Sequence, residues 1–579
     1  MSAFADFHVT FDADAPAPTP ARREHPWRAA ASHAGAWRAW VAADAARGLE
    51  QTRTVSPWSV WLVGELSRYD ALVAPADPLG AFVLDLRNRG PHAAALDGHF
   101  VLFAWNAEAR EWHIWTNRFG TMHAYLGRGA RRAALGTFHP AVCRSVDASK
   151  LDWLGLSGFF AMGFFPGDRT HFEDVRILRP STHVVCSERG APVREERYWA
   201  WHHEPDPAFA FDAAVDEFGA RFARVVRAET VGARLAVPIS GGLDSRTTVA
   251  ALPRDDGALW SYSYGYGAQS VETRIARRIA TARALPFASF AVPEYLFDRM
   301  EDVLAATEGF NDVTQTRQVC VSGELAAHAD AVIAAHWGDV WLDAAGGGEE
   351  HAAATKMMKE GRRWLLAEIA AAPLGADPEA SVREVIAQEF SRIPAMADAD
   401  FRLKAFKTDA WSFRWTTVGI RAFQLGAFPR LPFYDSTMAD LFCTLPTAHV
   451  DGRLLQIEWL KRNAPDLAGI TWQAYDADLH MYRFANSLLL PKRAVKKAWR
   501  ALSGTRVLER NWEVQFLSET GRAQLRGALL SPGRRIHDLV ARPAIEALLS
   551  GFFARPLQEK RGYTVAMLLT FSEWLERYA

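Results

Sequence analysis

The spacing of apolar and polar positions divides the chain near residue 205. Before that point the period is short. Trp58 to Glu65, His99 to Trp105 and Glu111 to Asn117 read as strands, and the polar run Asn106-Ala107-Glu108-Ala109-Arg110 reads as a hairpin turn. Ala134 to Phe138 and Thr182 to Cys186 add further strand-like pieces. The tract Ala15-Pro16-Ala17-Pro18-Thr19-Pro20 lacks amide donors and fixes φ, so it predicts a loop or irregular arm. Residues 1–200 therefore read as a strand-rich α+β unit.

Pro205 and Pro207 mark a linker, and the period then lengthens. Phe211, Val215, Phe218, Phe222 and Val225 recur at intervals of four and three, which predicts an amphipathic helix. Arg234 to Ile239 reads as a strand, Ser245 to Ala251 as the start of a helix, and Leu259 to Ser263 as the next strand. Val271, Ile275 and Ile279 lie on one face of a following helix. Strand and helix alternating in this way predict a parallel sheet with helices on both faces. Val332 to Ala335 and Val340 to Leu342 read as further strand or helix ends, and the chain beyond residue 360 as mostly helical. No internal repeat is evident. Two domains are expected, 1–205 and 206–579.

Composition narrows the function. The 579 residues carry 66 Lys plus Arg against 67 Asp plus Glu, a formal charge of −1, which excludes a globally basic nucleic-acid coat but permits a small local phosphate site. Four cysteines at scattered positions form neither a disulfide framework nor a metal spacing. The start, Met1 to Phe7, lacks a basic region followed by an apolar run, and no apolar stretch is long enough to span a bilayer. A cytoplasmic enzyme with neither nucleic-acid nor membrane partners is expected.

The chemistry concentrates in Val237-Pro238-Ile239-Ser240-Gly241-Gly242-Leu243-Asp244-Ser245-Arg246. A short apolar strand meets a Ser-Gly-Gly turn and then a helix. The glycines allow a close approach of backbone to ligand and conformations with φ > 0. Amides at the helix start can cradle phosphate, Ser240 and Ser245 can donate to its oxygens, and Asp244 can hold a cation or cap the helix. The Gly-Lys-Ser/Thr of a P-loop is missing.

This string closely resembles the pyrophosphatase loop of the asparagine synthetase family. Ser261-Tyr262-Ser263-Tyr264-Gly265 resembles the family's second strand running into an adenosine-contacting loop, followed by Glu272 and Arg278 in the next helix. Gly346-Gly347-Gly348-Glu349-Glu350 is similar to its Gly-rich acidic turn. Ala427 to Asp435 is similar to its Glu-Val-Arg-Val-Pro-Phe-Leu-Asp segment, with Arg430 in place of the Arg. The resemblance implies ATP and Mg²⁺ as cofactors. It puts Ser240, Gly241, Gly242, Asp244, Ser245, Tyr262, Gly265 and Gly347 at the nucleotide, and Asp244, Glu349 and Glu350 at the metal. Arg430 and Lys461 are assigned to catalysis, with Lys404, Lys407 and Lys492 as alternatives for the cation of the second step. Arg430 reads equally well as a structural ion-pair partner.

The front half resembles the amidotransferase domain of glutamine-dependent members through Leu96-Asp97-Gly98-His99-Phe100 and Asn117-Arg118-Phe119-Gly120. The implied fold is an α+β amidotransferase-like sandwich of the N-terminal-nucleophile type. An α/β ATP-pyrophosphatase domain with helical additions follows it. Glutamine-hydrolysing relatives use an N-terminal Cys, whereas Ser2 stands here, and the early His-Arg-Gly-Pro-Asp segment is missing. An inactive glutaminase domain is expected. The implied reaction is adenylation of a substrate carboxylate, then amide formation with an amine. That amine can be the substrate's own, as in macrolactam closure of a peptide, with a leader-processing protein as partner. Ammonia-dependent asparagine synthesis and a non-catalytic scaffold are the alternatives. The 22 Trp and 34 Phe suit either a bulky-substrate cavity or a core.

Overall fold

The computed structural model describes residues 2–22, 24–33, 35–69, 77–91, 96–253, 259–267, 270–346, 357–375, 377–485, 487, 510–556 and 558–579. The front half runs β1 (Ala5–Thr10), β2 (Arg28–His33), β3 (Trp37–Ala43), β4 (Glu50–Val55), β5 (Trp58–Tyr69), α1 (Pro78–Arg89), β6 (Leu96–Asn106), β7 (Glu111–Thr116), β8 (Tyr125–Arg128) and β9 (Ala133–Gly136). Helices α2 (His139–Ser145) and α3 (Trp153–Met162) follow, then β10 (Val175–Ile177), β11 (Thr182–Ser187) and β12 (Pro192–Arg197). These strands make two six-stranded antiparallel sheets, ordered β10-β8-β9-β1-β3-β2 and β12-β11-β7-β6-β5-β4.

The sheets pack face to face. Phe7 meets Phe103 with ring centroids 4.6 Å apart, and Trp37 meets Trp112 at 4.7 Å. Along β5, Trp61 and Val63 point into this sandwich while Val60 and Leu62 point at Phe82 and Leu86 of α1. Both faces are covered, so the strand reads as a nearly unbroken apolar run. β1 is absent from the periodicity reading for a related reason. All six of its residues are buried, and Asp6 is held by Arg22 and Thr137. Polar groups on a buried face erase the alternation that marks a strand.

The second half runs α4 (Phe211–Glu229), β13 (Leu235–Pro238), α5 (Asp244–Ala251), β14 (Leu259–Gly265), α6 (Val271–Ala282), β15 (Phe287–Ala291), α7 (Met300–Thr307), α8 (Ser322–His328), β16 (Ala331–Ile333), α9 (Gly338–Trp341) and β17 (Phe428–Arg430). The sheet order is β15-β14-β13-β16-β17 with every neighbouring pair parallel. The order reverses between β13 and β16, and open sheets of this kind place ligands beyond the strand ends at that reversal. Of the two ambiguous pieces, the first is strand β16 and the second helix α9. Among the described residues no helix is long and apolar enough to cross a membrane.

The halves share a continuous core, in which Phe165 and Tyr125 pack on Phe310. A buried ion network crosses the same boundary. Glu308 is fully buried and accepts from Arg22 at 2.9 Å, Arg421 at 2.7 Å and the His139 amide at 3.0 Å. Removing a partner from a buried pair strands the other charge, at a cost of about 3–5 kcal/mol. Glu308→Ala, which leaves Arg421 without its carboxylate and Arg22 with Asp6 alone, is expected to lower the unfolding free energy read from denaturant titration by an amount in that range. Asp147→Ala, which breaks the exposed Arg132–Asp147 pair, is expected to change stability by under about 1 kcal/mol. Equal midpoints for the two variants would refute the role assigned to Glu308.

Candidate functional site

The turn after β13 sits at the sheet's reversal point. Its serines are organised by one another. Ser245 Oγ accepts from the Ser240 amide at 3.0 Å and lies 3.0 Å from Ser240 Oγ, which accepts from the Gly242 amide at 3.2 Å. The start of α5 leaves amides without intrahelical acceptors, pointing beyond the strand end. Amides and hydroxyls arranged in this way can cradle an anion.

Neither Gly241 nor Gly242 has positive φ. Their value is space rather than left-handed backbone, which corrects half of the sequence argument. A Cβ on Gly241 would lie 2.3 Å from Gln473 Oε1, and the Gln473 amide donates to the Gly241 carbonyl at 3.2 Å. Arg246 explains how that neighbour is placed. Its buried guanidinium donates to the carbonyls of Ile470 at 2.8 Å and Thr471 at 2.7 Å, which draws the segment carrying Gln473 against the turn.

Asp244 opens α5 and is paired with Arg453, while Gln456 Nε2 donates to it at 3.2 Å. Burial pushes its carboxyl above the ordinary range, Arg453 draws it down, and Asp339 raises it again. Asp339 stands on the short helix α9, which follows β16. There Gly338 comes so close that a Cβ on it would lie 2.8 Å from Asp244 Oδ1. Asp339 is exposed and Asp244 is not fully covered, so two carboxylates meet at the mouth of the reversal point. Trp337, just before them, has φ of +76°, a costly conformation for a bulky side chain, and its Nε1 donates to Thr408 Oγ1 at 3.0 Å.

A cation flanks the site on the β14 side. Arg317 lies with its guanidinium carbon 5.8 Å from the Tyr264 ring and 5.7 Å from the Tyr266 ring, and it donates to the Tyr266 hydroxyl at 3.4 Å. Among the described residues it has no ion-pair partner. Burial pushes the nearby Glu272 carboxyl up, and Arg317 moderates that.

Ser240, Gly241, Gly242, Asp244 and Ser245 are thus gathered in one turn. Gly265 ends β14 and leaves room for Ser270, whose Oγ would be 2.4 Å from a Cβ there. Tyr262 is fully buried and stacks on Trp260 at 4.9 Å, so its ring belongs to the core. Tyr264, two residues on and half-buried, is where that strand face opens. Arg430 spends its donors on Glu65, at 2.8 Å, and on the carbonyls of Glu229 and Val231. It lines a cavity of about 250 Å³ between the halves, in the ion-pair role that was its structural alternative. Lys461 is half-buried in the last turn of the helix Leu454–Asn463, with no hydrogen bond or ion pair to the turn among the described residues. Lys404 is buried on Asp400 at 3.1 Å. Gly347, Glu349, Glu350 and Lys492 lie outside the described residues. Asp339, Arg317 and Arg453 escaped the sequence reading. The signal for Asp339 was a Gly-Asp pair that follows an apolar strand after four intervening residues.

Asp244 and Asp339 fit a magnesium ion, which favours oxygen ligands and is commonly held by one or two carboxylates together with substrate phosphates. Among the described residues no cluster of three or more His, Cys, Asp or Glu forms a ready-made metal cage.

No family model and no curated protein matches the chain. The solved structures similar to it include two enzymes. One is described as the allosteric regulatory enzyme of purine biosynthesis, with 11% identity and a TM-score of 0.21 over 41% of this chain and 55% of that one. The other is glutamine phosphoribosylpyrophosphate amidotransferase from B. subtilis complexed with ADP and GMP, with 11% identity and a TM-score of 0.20 over 50% of this chain and 60% of that one. The chain thus spans little more than half the length of either, and a likeness this distant says nothing about its chemistry. Fold and site define an antiparallel β-sandwich joined to an open parallel α/β sheet with a Ser-Gly-Gly turn at its reversal point.

The cradle can be tested with inorganic pyrophosphate. Gly241→Ala is expected to weaken pyrophosphate binding about tenfold, roughly 1.4 kcal/mol, by calorimetric titration. Adding Gln473→Gly is expected to recover most of that loss. Unchanged affinity in the single variant would show that the turn does not hold the anion.

Proposed function

We propose that the chain is an ATP-dependent carbon–nitrogen ligase that adenylates a substrate carboxylate and couples it to an amine. The single observation that carries this reading is the Ser240–Ser245 turn at the sheet reversal, with Asp244 facing Asp339 and Arg317 at the end of β14. In this reading the turn holds the β and γ phosphates through its amides and serine hydroxyls. The carboxylate substrate attacks the α phosphorus and pyrophosphate departs. Arg317 neutralises charge that builds at the phosphorus, an interaction that strengthens in the transition state. Asp244 and Asp339 would hold Mg²⁺, which would offset the charge of the leaving pyrophosphate. The amine then displaces AMP.

The source of the amine follows from the front half. Ser2 Oγ lies 2.9 Å from His25 Nε2, and its amide donates to Glu24 at 2.6 Å. Both Ser2 and His25 are buried, and the cavity between the halves does not reach Ser2. A buried Ser2 in the place of the relatives' Cys supports a structural domain, and with it an amine carried by the substrate. A peptide closing a macrolactam is the leading case and asparagine formation the alternative, with a leader-processing protein as partner in the first. The Asp244–Arg453 pair favours one second reading, a scaffold that keeps the fold with its acid already neutralised.

ATP–pyrophosphate exchange separates these readings. A panel of aspartate, a β-amino acid and a leader-cleaved peptide with an internal Asp or Glu is expected to give exchange with one carboxylate. Asp244→Ala is expected to abolish that exchange, and Arg317→Ala to lower it at least about a hundredfold. Glutamine is expected to add nothing. ATP binding absent from the wild-type chain, together with no exchange, would leave only the scaffold.

A further inference from the structure

A second binding site lies in the helical part of the chain, outside the nucleotide crevice. The helix Arg362–Leu365 and the helix Glu559–Tyr578 begin almost in contact. A Cβ on Gly361 would lie 2.3 Å from the Lys560 carbonyl, so only glycine permits this approach. The helix Arg542–Ala554 packs alongside, and the three enclose a cavity of about 680 Å³. That volume falls in the range of sites that take small organic ligands, roughly 300–1,000 Å³.

The walls of this cavity are chemically divided. Trp364 and Leu548, both half-buried, supply an apolar floor. Arg363, Lys560 and Arg561 supply a basic rim. Arg362 also faces the cavity, but its fork is spent on Glu379 at 2.7 and 3.1 Å. The other cations are not spent in this way. Among the described residues Arg363, Lys560 and Arg561 have no carboxylate partner, and Arg561 donates only to the Gly551 carbonyl. The single acidic residue on the lining is the exposed Glu360. A chain with a formal charge of −1 thus gathers, around one apolar hollow, three cations without a carboxylate partner among the described residues.

We propose that this cavity binds a short acidic peptide segment with an apolar or aromatic residue at its centre. The floor matches the apolar side chain, and the two arginines match flanking carboxylates, which they can engage with two parallel hydrogen bonds. Lys560 adds a point charge at the edge. A free phosphate would leave the floor empty. An apolar ligand without charge would leave the rim unmatched. The proposal does not depend on the ligase reading, because neither ATP nor any residue of the Ser240–Ser245 turn enters it.

The test uses the full chain without nucleotide. The probe is a fluorescein-labelled hexapeptide, Glu-Glu-Phe-Leu-Glu-Glu, followed by anisotropy. Its counterpart with lysine in place of every glutamate is the control. Saturable binding of the acidic peptide is expected, with little binding of the lysine peptide. Arg363→Glu combined with Lys560→Glu is expected to weaken binding at least about tenfold, and both positions are exposed, so the fold tolerates the change. Raising salt to about 0.5 M is expected to weaken wild-type binding similarly. Trp364→Leu with the rim intact is expected to weaken binding severalfold without altering its salt dependence. The proposal is overturned by the absence of saturable binding, or by equal affinity in the charge-reversed variant. Anionic vesicles that bind in place of the peptide, and are released by the same reversal, would overturn it in favour of a lipid surface.

Discussion

Everything that positions the crevice passes through one buried carboxylate. Glu308 sits just past α7 in a left-handed conformation, with φ of +56°, and its oxygens are shared by Arg22, Arg421 and the His139 amide. Arg22 in turn holds Asp6 of β1, and Arg421 reaches the Tyr125 hydroxyl at 3.2 Å. The sandwich and the parallel sheet are thereby fixed in one register. Buried ion pairs add little net stability over well-packed apolar side chains, so the value of this one lies in geometry. Nine residues after Glu308 comes Arg317, and nine residues after Arg421 comes Arg430, at the end of the edge strand beside β16.

In the front half, aromatic residues fill the space between the two sheets, as Trp37, Trp61 and Trp112 do. At its boundary with the second half, ionic contacts run beside apolar ones such as Phe165 on Phe310. Arg430 reaches across to Glu65, and Arg68 joins Asp97 to Asp435. Asp435 is pushed up to about 6, first by burial and then by Asp97, with Arg68 opposing. A carboxyl raised in the folded state binds its proton more tightly there than in the unfolded chain. Its contribution to stability is therefore largest at low pH and is lost as pH rises toward 6.

Much of this was legible in the sequence where one physical rule governed a stretch. Phe211, Val215, Phe218, Phe222 and Val225 form one buried stripe on α4, because a long helix on a core has little alternative. The Ser240–Ser245 turn was legible because strand, glycine pair and helix start are all local. The acid facing Asp244 was not. Asp339 lies on a four-residue helix, too short for a periodic signal, and depends on Trp337 holding an unfavourable backbone. The reading went instead to Glu349 and Glu350, where two adjacent acids made a stronger pattern. Arg317 lies on a 3₁₀ turn and matters only because Tyr264 and Tyr266 come to it from another strand. Arg430 kept its charge and its position in the motif, but its partner Glu65 is 365 residues away. No local pattern can supply such a contact.

The pairing of Asp244 with Arg453 is the electrostatic key to the crevice itself. A buried carboxylate beside Asp339 is costly to ionise, and Arg453 supplies the opposite charge that lets it do so. Gln456 ties the pair down by bonding Asp244, Arg453 and Thr247 together. The site is therefore close to neutral at rest, and a bare cation gains little by entering it. In the proposed ligase reading, an arriving phosphate would offer Arg453 a second anion in place of Asp244, and metal and nucleotide would then each bind better in the presence of the other by linkage.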